Sequence, residues 1–377
     1  MAFIYPDYNG NNVLNVTASL AAFLGCPNGN KTVPELDEEL KKEYKRVIFL
    51  VFDALGTYPL ALNTPADGYF RANTIKKLTT VFPSTTACAS ATMISGLYPS
   101  QHGRFGWCMN IPSLGGRVDI LVGTKSENRY EKVDKEALKK MFPLRGFYLD
   151  NKTDYQVSSI LSAIIDDGNE NRIVEETVSG VFDRLYEICA RPGKQFIYVH
   201  CPQPDNIFHH RGVDAEASRQ MVEEIQNRTK KLVNDLEDTL VIVTADHGQV
   251  NIKGYVPMYE DKQLTDMLSA PLHIEVRAVS LHVKEGLEEK FEKFFTEKYG
   301  KHFVLLKTED LIEKGVFGPR TEKLNLLGNY FAVGTETHLL ALLHPLTSVF
   351  AGQHTGLTEE MEVPLILLKS KKQTIGN

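Results

Sequence analysis

Arg46-Val-Ile-Phe-Leu-Val-Phe52 is an unbroken apolar run rich in β-branched and aromatic residues, and it ends on Asp53. A strand that reads this way is buried on both faces, as in the middle of a parallel sheet. The same reading applies to Phe196-Ile-Tyr-Val-His200, followed by Cys-Pro-Gln-Pro-Asp205, and to Leu240-Val-Ile-Val-Thr244, followed by Ala-Asp246-His247-Gly. Helical patterns lie around these strands. One spans 171–190, with Ile173, Val174, Val178, Val181, Phe182, Leu185 and Ile188 on one face, and another spans 214–235, with Met221, Ile225 and Leu232 at helical spacing. Strands alternating with helices predict an α/β fold with a doubly wound, mostly parallel sheet sandwiched by helices. Ligands of such sheets bind at the carboxyl ends of the strands, which is where the three acidic loops fall.

Outward from this core the texture changes twice. Residues 104–150 read as a loop-rich insertion holding the only tryptophan, Trp107, with no clear sheet pattern. Residues 255–335 read as a small α+β insertion: an alternating run over 272–279, a charged helix over 285–299, a strand over 302–306 and a helix near 308–314. The catalytic core is then expected to comprise 1–254 and 336–377.

Composition narrows the function. The net charge of −6 has the wrong sign for a protein held chiefly by duplex nucleic acid. No run approaches the ~18 apolar residues of a membrane span, and Met1-Ala-Phe-Ile-Tyr-Pro-Asp7 has neither the basic start nor the apolar stretch of a secretory signal. The reading is a cytoplasmic protein with no membrane partner; oligomeric state has no signature. Five scattered cysteines without a C-x-x-C pair oppose both a disulfide framework and a thiolate metal site. Any metal ligands should therefore be Asp and His.

Such residues stand at the strand ends. Asp205 and His209 are spaced i, i+4, so one helical turn aims both at one ion; His210 is the competing neighbour. Asp53 and the pair Asp246-His247 close two strands, and His354 sits in Gly352-Gln-His-Thr-Gly356. Three aspartates and three neutral histidines around two divalent cations leave one net positive charge, suited to an anionic phosphate. Without cations the clustered carboxylates would repel one another. Between Pro83 and Gly96, hydroxyl and small residues predict a helix starting at Thr85 or Thr86, whose N-terminus favours an alkoxide and an incoming phosphate. Trp107 is the candidate to meet a nucleobase, with Phe105 and Tyr148 as weaker alternatives. His102 reads as a turn residue supporting the helix; His200 has no motif context.

Together, Phe-Asp53-Ala-Leu-Gly, Pro83-Ser-Thr-Thr86, Gly96-Leu-Tyr-Pro-Ser-Gln-His-Gly103, Pro204-Asp205-x-x-x-His209, Ala-Asp246-His247-Gly and Gly-Gln-His354 resemble the alkaline phosphatase superfamily. Within it they are most similar to the nucleotide pyrophosphatase/phosphodiesterase (type I phosphodiesterase) family. The resemblance implies one metal held by Asp205, His209 and His354, and a second held by Asp53, Asp246 and His247 with Thr86 as a further ligand. It implies zinc, with manganese as the alternative, and Thr86 as the nucleophile; the family's phosphate-holding Asn, three residues after the nucleophile, is Ala89 here, and Ser90, a helix N–H or another loop would take its place. The implied activity is cleavage of phosphodiester or pyrophosphate bonds in small nucleotide-like substrates through a phosphothreonine. A phosphomonoesterase or phosphonate-ester hydrolase is the alternative, and a non-catalytic binding domain a more distant one.

Overall fold

The computed structural model describes residues 3–335 and 339–372. Residues 336–338 and 373–377 of the expected core segment lie outside the described residues. The three apolar runs form the strands Arg46–Phe52, Lys194–Cys201 and Thr239–Thr244, side by side and parallel, with Arg46–Phe52 in the centre. Val47 to Phe52 have no solvent exposure, as expected of a strand covered on both faces. Tyr155–Leu161 and Ile173–Val174 extend the parallel sheet beyond Lys194–Cys201. On the other side Glu362–Lys369 pairs antiparallel with Thr239–Thr244, and Thr74–Thr79 pairs antiparallel with Glu362–Lys369. The result is a seven-stranded, mostly parallel sheet flanked by helices, the doubly wound α/β architecture expected.

This topology gathers the site. Arg46–Phe52, Lys194–Cys201, Thr239–Thr244 and Thr74–Thr79 all run toward one edge of the sheet, and Glu362–Lys369 starts from that edge because it runs the opposite way. The loops bearing Asp53, Asp205, Asp246 and Thr86, and the segment from His354 to Glu362, therefore meet over one end of the sheet.

Two local readings differ from the sequence. The helix expected over 171–190 is Val178–Cys189, because Thr177 caps it by accepting the Gly180 amide at 3.1 Å; Ile173–Val174 instead pair as a short edge strand. The segment 104–150 is not merely loops. It supplies four strands, Cys108–Ile111, Gly116–Asp119, Thr124–Lys125 and Asn128–Lys132, each too short for alternation to be legible. They continue into His273–Ile274, Ala278–Leu281, Tyr330–Gly334 and Phe303–Lys307 as one eight-stranded sheet, joined where Ile274 pairs with Cys108. The two sequence-distant insertions thus share a sheet. Among the described residues no helix is long and apolar enough to cross a membrane.

Candidate active site

Thr86 is the first residue of the helix Thr86–Ser95, which Gly96 closes in the left-handed conformation at φ +70°. A Cβ on Gly96 would stand 2.5 Å from Asn28 Nδ2, so glycine answers both the backbone and the space there. His102 braces this helix as its sequence position suggests: Nδ1 accepts the Arg104 amide at 3.0 Å, so Nε2–H donates to Thr92 Oγ1 at 3.0 Å. The Thr86 hydroxyl lies 3.1 Å from His247 Nε2 and 3.3 and 3.4 Å from the two Asp53 oxygens.

Asp205 opens the short helix Asp205–Arg211, and His209 one turn on brings Nε2 to 3.2 Å from Asp205 Oδ1. His209 Nδ1 faces the Gly352 carbonyl at 2.8 Å, and His247 Nδ1 faces the Gly248 carbonyl at 2.9 Å. A carbonyl can only accept, so each ring carries its proton on Nδ1 and, when neutral, turns an Nε2 lone pair to the site, the arrangement typical of metal-ligating histidines. Asp246 Oδ1 accepts the Ala54 and His247 amides at 3.0 and 2.9 Å, leaving Oδ2 3.5 Å from both His247 Nε2 and His200 Nε2.

The electrostatics call for cations. Burial, with Asp246 and Asp205 alongside, pushes Asp53 well above the ordinary carboxylate range. Burial also opposes the charge on Asp246, but His247, His200 and the Ala54 amide overcome it and hold that carboxyl low. Burial next to His247 and His209 drives His354 far below 6.5, which keeps its ring neutral and able to ligate. At His209 burial is outweighed by Asp205 and the Gly352 carbonyl, which raise it. Among the described residues no Lys or Arg pairs with Asp53, Asp205 or Asp246, and buried Asp205 Oδ1 has no hydrogen-bond donor. Lone pairs facing one another without protons between them fit a divalent metal.

Ligand atoms within 4.8 Å of one another fall into three groups: Asp205, His209 and His354; Asp53, Asp205 and His247; and Asp53, His200 and Asp246. The first is the triad expected for one metal. The second expected set, Asp53, Asp246 and His247, is spread over the other two groups, which share Asp53, with His247 Nε2 3.4 Å from Asp53 Oδ1. His200 is the residue that sequence reading passed over. Its signal is a histidine inside an otherwise apolar buried strand, fully buried and aimed at Asp246.

Asp53, Thr86, Asp205, His209 and His354 line a cleft of about 700 Å³, as does Trp107. Ser90 does not: it is buried one turn along the helix, roughly 6 Å further from the open N-terminus. Phe105 and Tyr148 are also core residues, packed against Phe317 and Tyr198. Glu275, which carries no sequence signal, does reach the cleft. Its Oε1 accepts from Thr85 Oγ1 at 2.7 Å and from the Trp107 amide at 2.8 Å. Burial raises its carboxyl to about 7 against the lowering effect of those two hydrogen bonds.

Over residues 69–329 the sequence matches the family described as type I phosphodiesterase / nucleotide pyrophosphatase. The chain belongs to this family. The family is one of hydrolases acting on phosphoric esters, and the acidic and histidine groups of the site could bind the metal ions such a hydrolase uses. The matched stretch contains Thr86, Asp205, His209, Asp246 and His247; Asp53 and His354 lie outside it and are joined to the site by geometry. Over 85 residues the chain is 33% identical to 2,3-bisphosphoglycerate-independent phosphoglycerate mutase of Picrophilus torridus, a match covering 22% of this chain and 20% of that protein. The chain thus spans about a fifth of the length of that curated relative.

Solved structures share the fold at low identity. Human ectonucleotide pyrophosphatase/phosphodiesterase 5 has a TM-score of 0.63 at 18% identity, covering 88% of this chain and 91% of that one. An inactive form of the murine protein in complex with AMP gives 0.62 at 17%, with the same coverage. Phosphonoacetate hydrolase of Sinorhizobium meliloti 1021 in complex with phosphonoformate gives 0.60 at 14%, covering 89% and 92%.

Proposed function

We propose that this hydrolase cleaves a phosphodiester or pyrophosphate bond of a small, nucleotide-like substrate through a covalent phosphothreonine at Thr86. One observation carries the reading: the Thr86 hydroxyl stands at a helix N-terminus in the wall of the cleft, within 3.1–3.4 Å of His247 Nε2 and the Asp53 carboxylate. Asp205, His209 and His354 would hold one divalent cation and Asp53, Asp246 and His247, with Thr86, the second; the pair supplies the positive charge that makes the hydroxyl nucleophilic and draws in phosphate. Zinc suits this nitrogen and oxygen donor set, and manganese is the alternative.

The chain's own groups do the rest. His247 and Asp53 fix the direction of the Thr86 oxygen. The oxygen–phosphorus bond forms in line as the bond to the departing alcohol or phosphate breaks, the hydroxyl proton ends on that departing group, and water then releases the remaining phosphate monoester from Thr86. The open start of the helix, at Thr86, turns its positive end to the phosphate oxygens. Trp107 at the cleft supports a nucleobase on the second arm, in keeping with the AMP bound to the murine neighbour. A cytoplasmic setting is part of this proposal and is supported by five free thiols.

The test is metal content together with hydrolysis of bis-p-nitrophenyl phosphate and p-nitrophenyl phosphate by zinc- or manganese-loaded protein. Two ions per chain with preference for the diester is the expected result. Preference for the monoester would move the assignment to a phosphomonoesterase, and loaded protein that cleaves neither ester would leave a binding domain.

A further inference from the structure

We propose that Glu275 is a specificity-determining residue that turns the cleft against doubly charged phosphomonoesters and toward singly charged phosphodiesters. The inference rests on the hydrolase reading above and adds a basis for its substrate class.

Glu275 reaches the residue before the nucleophile from the turn between His273–Ile274 and Ala278–Leu281 of the second sheet, a part of the molecule that contributes to none of the three candidate metal groups. Its Oε1 is occupied by Thr85, the residue before Thr86, and by the Trp107 amide. Its Oε2 has no hydrogen-bond partner among the described residues, and no Lys or Arg pairs with the carboxylate. The residue is only 6% exposed, so this charge is set in the cleft wall and poorly screened by water.

The backbone is held unfavourably to put it there. Ile274, a β-branched residue, sits at φ +83°. Only four non-glycine residues among those described have positive φ, and three adjoin cleft residues: Ala54 follows Asp53, Thr355 follows His354 and Ile274 precedes Glu275. Unfavourable backbone of this kind persists where surrounding structure over-determines it, commonly at functional sites. The approach is also close: a Cβ on Gly106, next to Trp107, would stand 2.8 Å from Ile274.

A phosphomonoester carries about two negative charges once its second ionisation, near pH 6, is complete. A diester carries one. A fixed carboxylate beside the phosphate repels the first more than the second, and specificity of this kind is built by penalising the competitor.

The test compares wild type, Glu275→Gln and Thr85→Val, each metal-loaded, at about pH 8.5, where a carboxyl held near 7 is ionised. Two quantities are read: the ratio of kcat/KM for p-nitrophenyl phosphate over bis-p-nitrophenyl phosphate, and the calorimetric affinity for inorganic phosphate relative to dimethyl phosphate. Glu275→Gln should raise both by about tenfold or more, equivalent to about 1.4 kcal/mol. Thr85→Val, which removes the hydrogen bond but keeps the charge, should leave both near wild type. Glu275→Ala serves the same test with the same sign if the Gln variant does not fold. Unchanged values in the Glu275 variants, or equal shifts in the Thr85 variant, would overturn the proposal. Wild type that cleaves neither ester would count against the hydrolase reading, while the phosphate affinities would still decide the role of Glu275.

Discussion

Arg277 Nε lies 2.8 Å from Glu360 Oε1, and neither side chain has any exposure to solvent. The pair pins the second sheet to the segment that carries His354. Glu360 also accepts the Gly356 amide at 3.2 Å and the Thr358 hydroxyl, so its carboxylate organises the turn just after that ligand. The Arg277 terminal nitrogens find no acceptor among the described residues, leaving Glu360 to offset its charge.

Removing one member of a buried pair strands the other charge, which costs about 3–5 kcal/mol. Arg277→Met is therefore predicted to lose stability on that scale in urea titration and to bind less metal at the site containing His354. The double variant Arg277→Met, Glu360→Met should recover most of the stability, since no charge is left unpaired. A single variant as stable as wild type would show that the pair does not hold this segment.

The loops bearing Asp53 and Asp246 meet through glycine. A Cβ on Gly56 would lie 2.5 Å from Gly248 Cα and 2.7 Å from the Glu362 carbonyl, while Gly56 itself is at φ −61°, which alanine tolerates. The cost of Gly56→Ala is thus steric, about 1–3 kcal/mol by the usual scale of overpacking. We predict lower thermal stability and weaker metal retention on dialysis; a variant matching wild type in both would contradict this close packing.

His102 gives the fold an acid-sensitive brace. Burial, with Arg104 beside it, lowers its pKa to about 3 from 6.5. The folded pKa is depressed, so below pH 6.5 the unfolded chain takes up the proton that the folded chain refuses. Stability from this group is complete above 6.5 and falls between 6.5 and about 3. The slope approaches ~1.4 kcal/mol per pH unit within that window. Replacing His102 with Gln should flatten this part of the stability profile, measured by denaturant titration from pH 7 downward. An unchanged profile would sink the assignment.

Much of this was legible because the chemistry is local. Buried parallel strands announce themselves as apolar runs, and strand ends, i, i+4 spacing and glycine-flanked loops mark Asp53, Asp205, His209, Asp246, His247 and His354 as candidate ligands in the sequence itself. Hydroxyl-rich sequence between Pro83 and Gly96 marked the Thr86 helix. The strands of 104–150 escaped because two to five residues are too few for a period. Glu275 escaped for a different reason: its role depends on Ile274 pairing with Cys108 across distant segments, which composition does not encode. Ser90 misled because adjacency to Ala89 says nothing about which way a helical position faces.

Thr86 is predicted to carry the phosphorus covalently during turnover. Acid-quenching metal-loaded protein during hydrolysis of bis-p-nitrophenyl phosphate and mapping its peptides should place one p-nitrophenylphosphoryl group on Thr86. Thr86→Ala should lose that label and at least about 10³ in rate while keeping its metal content near wild type. A quenched enzyme with no phosphoryl group on Thr86, together with a Thr86→Ala variant that turns over at the wild-type rate, would contradict the account.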